Sequence, residues 1–333
     1  MRLHTRIGIV FGLAIFTILV SQNEGRRVFL ALASVGWGLA ALLLIHPVQT
    51  ALSGLGWRAL LGGPITPGWL DFTLLRWIRE SVNGLLPVAQ LGGNLVGARL
   101  MAWQGVKLHD SGAATAVDLT MEALTQLVFT GLGVGLLVLG RYDTAVTGWI
   151  GGATLGALIV VAALVLAQRR GLLRLLENGL LRLAQKPQWS GLGDIAGLHD
   201  AIVAVYRDPG KLTRSGLYHL LSWLIGGVEV MLALHLLGVA VDLRESLLIE
   251  SIGQALRTVG FAIPASLGVQ EGGYMLICGL LGIGPQSALE LALLKRVREV
   301  FLGVPGLVVW QLMEGRHAAQ RLTRPPQASE GAP

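Results

Sequence analysis

The sequence predicts an all-α, polytopic integral membrane protein. Of its 333 residues, 53% are hydrophobic and 14% are charged, whereas soluble domains carry about 25% charged residues. Long apolar runs recur along the chain, and its 46 glycines suit the close approach of helices in lipid. From the length that a spanning helix needs, we expect about six to eight spans, plus two broken or re-entrant elements.

The charge and cysteine content exclude several other classes. The net charge of +6 comes from basic residues in loops beside apolar runs, where anionic headgroups attract them. We therefore expect a membrane partner and no nucleic acid. The single cysteine, Cys278, lies in an apolar run, which excludes a disulfide or a cysteine-based zinc framework. No metal or other cofactor is expected.

The amino-terminal apolar runs predict spans and one surface helix. Ile7–Val20 is predicted to be a retained first span and not a cleaved signal peptide. Val28–Ile45 follows as the second span, which Pro47 is expected to end. Val48–Gly63, with Trp57 at headgroup level, is predicted to be an interfacial helix.

A first broken element is predicted after these spans. Leu70–Leu86 mixes charged with apolar residues and stops at Pro87, and the glycine-rich Val88–Ala98 is a candidate re-entrant segment. Asp110 or Ser111 is expected to cap the next helix.

Two acids on that next helix are predicted to lie inside the membrane. At about 1.5 Å per residue, Glu122 lies roughly 16 Å from the expected cap, near the middle of a hydrocarbon layer about 30 Å thick. Asp118 shares its face, and like charges at this spacing repel. We therefore expect a nearby cation, for which Arg99 is the candidate; the alternative is that one acid is protonated and structural.

The middle of the chain predicts two more spans around a basic loop. Ala145–Ala167 is uncharged, and Gln168–Arg214 is a basic, cytoplasmic loop by its excess of Lys and Arg. Gly216–Ala240 spans again, with Glu229 in its middle. Glu229 is either part of a proton relay with two histidines, His219 and His235, or a single hydrogen-bonded polar side chain. Residues 1–314 are predicted to form the membrane domain and residues 315–333 a disordered cytoplasmic tail, with both termini cytoplasmic.

The stretch Glu250–Trp310 is apolar enough for a bilayer, yet it is charged and repeatedly interrupted by Gly and Pro. Charges and breaks at membrane depth occur where the backbone is covered by protein or lines a wet cavity. The stretch therefore predicts broken helices around a polar pocket. Its charged residues are Glu250, Arg257, Glu271, Glu290, Lys295, Arg296, Arg298 and Glu299.

Glu271 follows the turn IPASLGVQ and is expected to meet Arg257 or the cations of 295–299; the alternative is a helix cap at the interface. Gly284 and Pro285 are expected to open the helix that carries those cations. Lys295 and Glu299 share a face on it. Arg296 and Arg298 point elsewhere and suit a phosphate, unless they form a basic edge at the membrane surface.

An internal echo predicts that the two halves are repeats, which are common in transporters. Glu80-Ser81-Val82 recurs as Glu250-Ser251-Ile252. Four further residues recur with equal spacings of 7, 11 and 17 in both halves. They are Pro87, Asn94, Gly105 and Glu122 in the first half, and Pro264, Glu271, Gly282 and Glu299 in the second.

These blocks resemble a known family. IPASLGVQEGG, GLLGIG and LLKRVREVFLGVPGLVVWQ, with the earlier NGLLPVAQLGGNLVGARL and VDLTMEALTQ, are similar to the transmembrane region of lysylphosphatidylglycerol synthases, also called flippase-like membrane proteins. The order and the sequences of these blocks are most similar to those of the hopanoid-biosynthesis-associated HpnL-type branch. The resemblance implies an inner-membrane protein that moves a lipid between leaflets. It also implies an acid after the first turn, where this chain has Asn94.

The sequence and the resemblance together predict a lipid translocase or transport factor for a hopanoid, an anionic phospholipid or a polyprenyl lipid, with lipid-synthesis enzymes as further partners. Aminoacylation is not expected, because no aminoacyltransferase domain follows, and no Walker, Gly-x-Ser-x-Gly or His-Glu-x-x-His motif is present. The alternatives are a headgroup transferase or hydrolase, for which Asp118, Glu122 and His109 leave room, and a non-catalytic scaffold. The candidate substrate-binding residues are Asn94, Arg99, Asp118, Glu122, Arg257, Glu271, Lys295, Arg296, Arg298 and Glu299.

Overall fold

The computed structural model describes residues 36–62, 66–86, 92–140, 197–259 and 269–323, with the isolated residues 152, 159 and 166. Every regular element within these residues is a helix, which confirms the all-α prediction. The nine helices of the described part are α1 Gly38–Ala59, α2 Trp69–Leu85, α3 Gly92–Trp103, α4 Leu108–Leu139, α5 Leu198–Tyr206, α6 Pro209–Leu236, α7 Leu243–Val259, α8 Val269–Leu280 and α9 Pro285–Thr323. Three of them, α1, α4 and α6, are long and apolar enough to cross a membrane. The span predicted at Ile7–Val20 lies outside the described residues, and of the span predicted at Ala145–Ala167 the structure describes residues 152, 159 and 166, each as helix.

Helix α1 corrects the prediction that a span ends at Pro47. The helix continues through Pro47 to Ala59, because neighbouring helices in a membrane bundle can satisfy the backbone carbonyl that a proline leaves free. Trp57 is fully buried inside the bundle, whereas a side chain facing the headgroups was predicted. It packs edge-on against Phe72 at 5.5 Å between ring centroids, and Arg79 lies 5.2 Å from the centroid of its ring.

Two other predicted helix starts were wrong. Helix α4 begins at Leu108, directly after Lys107, so neither Asp110 nor Ser111 is its N-cap. Helix α6 begins at Pro209 and not at Gly216. Asp208 Oδ1 accepts a hydrogen bond from the Lys211 N–H at 3.1 Å, so an ordinary Asp N-cap followed by Pro opens this helix.

The end of the last helix also differs from the prediction. Gly284 and Pro285 open α9 as expected, but the helix continues to Thr323 through Pro305. Residues 315–323 are thus helical, where a disordered tail was predicted. Residues 324–333 lie outside the described part of the chain.

Helices α3 and α8 are too short to span. Helices α3 and α8 have 12 residues each, about 18 Å at 1.5 Å per residue, against about 30 Å of hydrocarbon. Each packs against the 17-residue helix before it, α2 or α7. This geometry is that of the two broken elements that the sequence predicts, although the turns at Pro87 and Pro264 lie outside the described residues.

The described helices form two structural repeats, α1–α4 and α6–α9. Helices α8 and α9 begin 177 residues after α3 and α4, respectively, and the turn before each long helix contains a glycine with positive φ, Gly105 at 96° and Gly282 at 73°. The second helix of each repeat packs against the last helix of the other repeat: α2 lies against α9, and α7 lies against α4. The repeat predicted from the residue spacings is therefore present.

The two repeats have opposite directions. Along the contact between α1 and α6, Gln49 bonds Glu229 and Ser53 bonds Ser222. Rising numbers on one helix thus meet falling numbers on the other, so these equivalent helices run antiparallel. Inverted repeats of this kind are a common architecture of secondary transporters.

Small residues allow the repeats to interlock at two equivalent points. A Cβ at Gly133 on α4 would lie 1.9 Å from Ser251 Oγ on α7, and a Cβ at Gly306 on α9 would lie 2.1 Å from Ser81 Oγ on α2. The two serines are those of the recurring Glu-Ser pairs. The recurring serines thus mark two points where a helix lies so close that its residue facing the serine is a glycine.

Two apolar cores lie at either end of the bundle, and a polar layer lies between them. One core contains Trp57, Phe72 and Met101; the other contains Leu137 and Tyr274. Helices α1, α4, α6 and α9 contribute side chains to both cores, whereas α2 packs in the first core and α7 and α8 in the second. Apolar packing therefore holds the helices together above and below the layer that contains the candidate site.

Candidate functional site

The polar layer consists of two charge clusters that meet at α1. We define the amino-terminal cluster as Arg76, Arg79, Glu80, Asp118, Glu122 and His219, and the carboxy-terminal cluster as Glu229, Glu250, Arg257, Glu271, Lys295, Arg296, Arg298 and Glu299. Adjacent residues of α1 contact both: Thr50 Oγ1 donates to Glu80 at 2.9 Å, and Gln49 Nε2 donates to Glu229 at 2.5 Å.

The amino-terminal cluster pairs two arginines of α2 with two acids of α4. Arg76 and Arg79 lie one turn apart and share a face of α2, as Asp118 and Glu122 do on α4. Arg76 forms a bidentate bond to Glu122 at 2.6 and 3.0 Å, and Arg79 bonds both acids. Matched spacings on two packed helices thus produce an interlocking ion-pair network.

Histidines and a third carboxylate complete this cluster. His219 Nε2 of α6 lies 2.8 Å from Asp118 Oδ1, and both side chains are buried. Glu80 accepts from Arg76 Nε at 2.6 Å and lies 3.7 Å from His46 Nε2. Four helices therefore contribute to one connected network.

The deep part of the carboxy-terminal cluster is centred on Glu250 of α7. Its carboxylate pairs with Lys295 of α9 and accepts from Gln254 Nε2 at 2.8 Å and from the Tyr274 hydroxyl at 3.3 Å. Lys295 Nζ also lies 5.5 Å from the centroid of the Tyr274 ring. Glu250 and Lys295 are almost fully buried, so this group is a desolvated ion pair closed by hydrogen bonds.

A second buried pair joins the repeats. Arg298 of α9 donates from Nη1 to Glu229 of α6, whose other oxygen accepts from Gln49 of α1. This pair lies next to the amino-terminal cluster, because Gln49 and Thr50 are consecutive residues. It links the helix that carries His219 to the helix that carries the carboxy-terminal cations.

The outer part of the carboxy-terminal cluster contains the more accessible charges. Arg296 Nε donates to Glu271 at 3.2 Å and its Nη1 to Glu299 at 3.3 Å, while Arg257 Nη1 donates to Glu299. The side chains of Glu271 and Arg257 are 20% and 25% exposed. The cluster thus passes from a closed interior to an accessible edge formed by Glu271, on half-length helix α8, and Arg257.

Three polar atoms on α8 and α9 are buried without a hydrogen-bond partner in the described structure. They are Arg296 Nη2, Arg298 Nε and, on α8 beside Glu271, Gln270 Oε1. An unsatisfied buried donor costs roughly 1–3 kcal/mol, and more for a charged group. Two guanidinium N–H groups and one amide oxygen are therefore available to a ligand that accepts from the former and donates to the latter.

The predicted site residues fall into separate groups. Glu271 meets a cation of the 295–299 segment, Arg296, as expected. Arg99, by contrast, is not the partner of the acids on α4: it pairs with Glu314 near the end of α9, and its side chain is 49% exposed. Asn94 is buried in the first turn of α3, the position equivalent to Glu271 in the repeat.

The suggested relay of Glu229 with two histidines is not assembled. His219 bonds Asp118, and His235 is exposed and contacts the Met231 carbonyl at 2.8 Å. Glu229 bonds Arg298 and Gln49 instead. A histidine ten residues away on one helix lies on a different turn, so sequence proximity did not indicate contact.

Several cluster members were not among the predicted site residues. Arg76, Arg79 and Glu80 were recognised only as charges in a span, although their spacing along α2 is complementary to that of the α4 acids. The echo of LLRWIRE at 74–80 in LLKRVRE at 293–299 was a usable signal for them. Gln49 was missed because a helix end was expected at Pro47.

The acids of the polar layer are paired with cations. Within the described part of the chain, no group of three or more His, Cys, Asp or Glu side chains is placed to hold a metal ion. The carboxylates are held by guanidinium and ammonium groups. Such a layer can exchange one anion for another and can carry protons.

Comparison with known proteins identifies the family. A family model described as the lysylphosphatidylglycerol synthase TM region matches residues 6–306. Neither the curated proteins nor the solved structures include a match to the chain. The matched range contains both short helices, both charge clusters and most of the two repeats. The chain therefore belongs to the lysylphosphatidylglycerol synthase transmembrane-region family, and it is a membrane protein with a lipid-related role.

Proposed function

We propose that the protein is a translocase that moves an anionic lipid between the leaflets of the membrane. The observation that carries the proposal is the pair of buried guanidinium N–H groups without partners, Arg296 Nη2 and Arg298 Nε. They lie in a polar layer between inverted repeats. A phosphate-bearing headgroup offers several acceptor oxygens, and the planar guanidinium can bind two of them at once.

The half-length helix α8 supports a route for the headgroup. Helix α8 has 12 residues, too few to cross a bilayer, and carries Glu271 on its first turn, beside the accessible edge. A headgroup entering there would compete with Glu271 for Arg296. The acyl chains would remain in the bilayer, because the outer faces of the helices present apolar side chains such as Phe301 and Val304.

The remaining carboxylates allow the headgroup to be released again. Glu299 bonds both Arg257 and Arg296, and Glu229 bonds Arg298. Each cation thus keeps a partner when the lipid leaves, so release does not expose an uncompensated charge. Lys295 is committed to Glu250 and contributes charge to the layer without contacting the headgroup.

We extend the proposal to the class of cargo and the place of action. The sequence of the block within Glu250–Trp310 is most similar to the hopanoid-associated branch. This similarity favours a hopanoid-related or other anionic lipid in a bacterial inner membrane as the cargo. The protein acts without covalent change of the lipid, and the basic loop at 168–214 and both termini face the cytoplasm.

The test is lipid exchange in reconstituted vesicles. Vesicles of phosphatidylethanolamine and phosphatidylglycerol contain a trace of fluorescent phosphatidylglycerol, and a membrane-impermeant quencher reports its movement between leaflets. Wild type is expected to exchange the lipid, and Glu271→Gln and Arg298→Ala to lose exchange. Glu290→Gln is the matched control, since this acid on α9 bonds Gln286 at the surface.

The outcomes separate the alternatives. Exchange with an unchanged lipid supports a translocase. A new covalent product identifies a headgroup transferase or hydrolase, and neither exchange nor product supports a scaffold. Normal exchange by both site variants would show that the proposed headgroup path is wrong.

A further inference from the structure

The amino-terminal cluster contains a buried histidine that the headgroup path does not use. His219 is 1% exposed and its Nε2 lies 2.8 Å from Asp118 Oδ1. Gly56 of α1 brings its backbone against the ring, since a Cβ there would lie 3.0 Å from His219 Nε2. A histidine ring nitrogen beside a buried carboxylate is a site where a proton can be bound.

The charge balance of the two clusters differs by one unit. The amino-terminal cluster has three carboxylates and two guanidiniums, so it carries a net charge of −1 when His219 is neutral. The carboxy-terminal cluster has four carboxylates and four cations and is neutral. Because an uncompensated charge inside a membrane protein is costly, binding of one proton completes the amino-terminal cluster.

The ring of His219 lies beside the ion-pair network of α2 and α4. It bonds Asp118, which also pairs with Arg79, and Arg79 and Arg76 both pair with Glu122. Asp118 Oδ2 is already bonded to Arg79, while Oδ1 faces the imidazole. Protonation of His219 therefore turns an existing hydrogen bond into an ion pair without moving either side chain.

The other helices that pack on α6 present charges along its length. Glu250 of α7 lies against Gly226, and Arg298 of α9 bonds Glu229, while α6 has its own acid, Asp208, as its N-cap. On α1, His46 lies near Glu80 and is 23% exposed. His219 is thus the histidine of the described polar layer that is enclosed by charged partners.

Both clusters share a helix and a contact, so a charge in one acts on the other. Helix α6 carries His219 and Glu229, and α1 bonds both clusters through Gln49 and Thr50. An anion bound by Arg298 adds negative charge to this enclosed layer. Added negative charge raises the affinity of the layer for a proton. By thermodynamic linkage, a bound proton raises the affinity for the anion by the same factor.

We infer that the His219–Asp118 pair is a proton-binding site that is loaded when an anionic headgroup occupies the carboxy-terminal cluster. This inference rests on the proposed function for its role in transport, but proton binding itself is measured separately. Lipid and proton then cross the polar layer together, and a pH gradient drives accumulation of the lipid in one leaflet.

The test measures proton uptake directly. Purified protein in weakly buffered detergent near pH 7, with a pH indicator, receives dihexanoyl-phosphatidylglycerol as the probe; dihexanoyl-phosphatidylcholine is the uncharged comparison. We expect uptake of about one proton per chain with the anionic lipid only. His219→Gln, which keeps a donor for Asp118, loses the uptake, and His235→Gln, on the exposed histidine of the same helix, retains it.

Uptake by His219→Gln equal to that of wild type, or no uptake by wild type, overturns the inference. If His219→Gln is not recovered folded, nitrogen NMR of histidine-labelled wild type counts the imidazoles that gain a proton on lipid addition, and an unchanged count overturns it. Vesicle exchange separates the two proposals. Proton uptake without exchange refutes the translocase and leaves the site, whereas exchange without proton uptake refutes the site alone.

Discussion

The Arg298–Glu229 pair offers a way to distinguish loss of transport from loss of folding. Arg298→Met keeps an unbranched stem of similar bulk but removes the guanidinium. Glu229 then remains 3% exposed on its side chain with Gln49 as its remaining partner, at 2.5 Å. Removing one member of a buried ion pair typically costs about 3–5 kcal/mol, since the other charge stays buried.

The double variant Glu229→Gln with Arg298→Met removes both charges together. Replacing a buried pair by neutral side chains of similar volume is often close to neutral for stability. We therefore expect the free energy of unfolding to return to within about 1 kcal/mol of wild type. Lipid exchange stays lost, because the guanidinium that binds the headgroup is still absent.

The chain contains its own reporter for this experiment. Cys278 is the single cysteine and is fully buried against the apolar core. A fluorogenic thiol dye therefore reacts on unfolding, and heating in detergent gives the unfolding midpoint of each variant. Exchange is then measured below the lowest midpoint, with Glu290→Gln as the control.

Two results would refute the reasoning. Wild-type exchange by the double variant would show that the Arg298 guanidinium does not bind the headgroup. A double variant as unstable as Arg298→Met alone would show that the buried charge on Glu229 is not the cause of the instability. Loss of folding and loss of transport can be distinguished in each case, because stability and lipid exchange are measured on the same preparations.

Two further predictions concern packing and surface charge. Gly133→Ala should lower the free energy of unfolding by about 1–3 kcal/mol, since its Cβ would lie 1.9 Å from Ser251 Oγ. Adding Ser251→Ala should restore part of this stability in the same thiol-dye assay. If the effects of the two substitutions on the free energy of unfolding simply add, the contact is contradicted. Arg99→Ala should cost at most about 1 kcal/mol, as expected of an exposed ion pair. Arg79→Ala should cost about 3–5 kcal/mol, because it removes the closer of the two arginines that pair with the buried Asp118, the other being Arg76 at 3.7 Å. Equal effects in urea unfolding would contradict this assignment.

Local features of the sequence predicted much of the fold. The apolar composition specified a helical membrane protein, and the Pro and Gly positions predicted two interrupted elements and the start of α9. Equal spacings from Pro87 and from Pro264 predicted the repeat. These signals suffice because helix length, breaks and repeated segments depend on residues close together in the chain.

The same local rules failed where neighbouring helices decide the outcome. Pro47 would end an isolated helix, but α1 is packed on both sides along its length and continues. Trp57 has the amphipathic side chain of an interfacial residue, yet it is buried between Phe72 and Arg79. Burial inside a bundle overrides the preference of a single side chain.

What the sequence by itself determined is that acids and cations lie at membrane depth and must compensate one another. Only the tertiary structure decided the pairs: Asp118 with Arg79 and His219 instead of Arg99, Glu229 with Arg298, and Glu250 with Lys295. The physical reason is that ion pairs depend on which helices come into contact. Inverted repeats bring together residues far apart in the chain, and no local spacing encodes that approach.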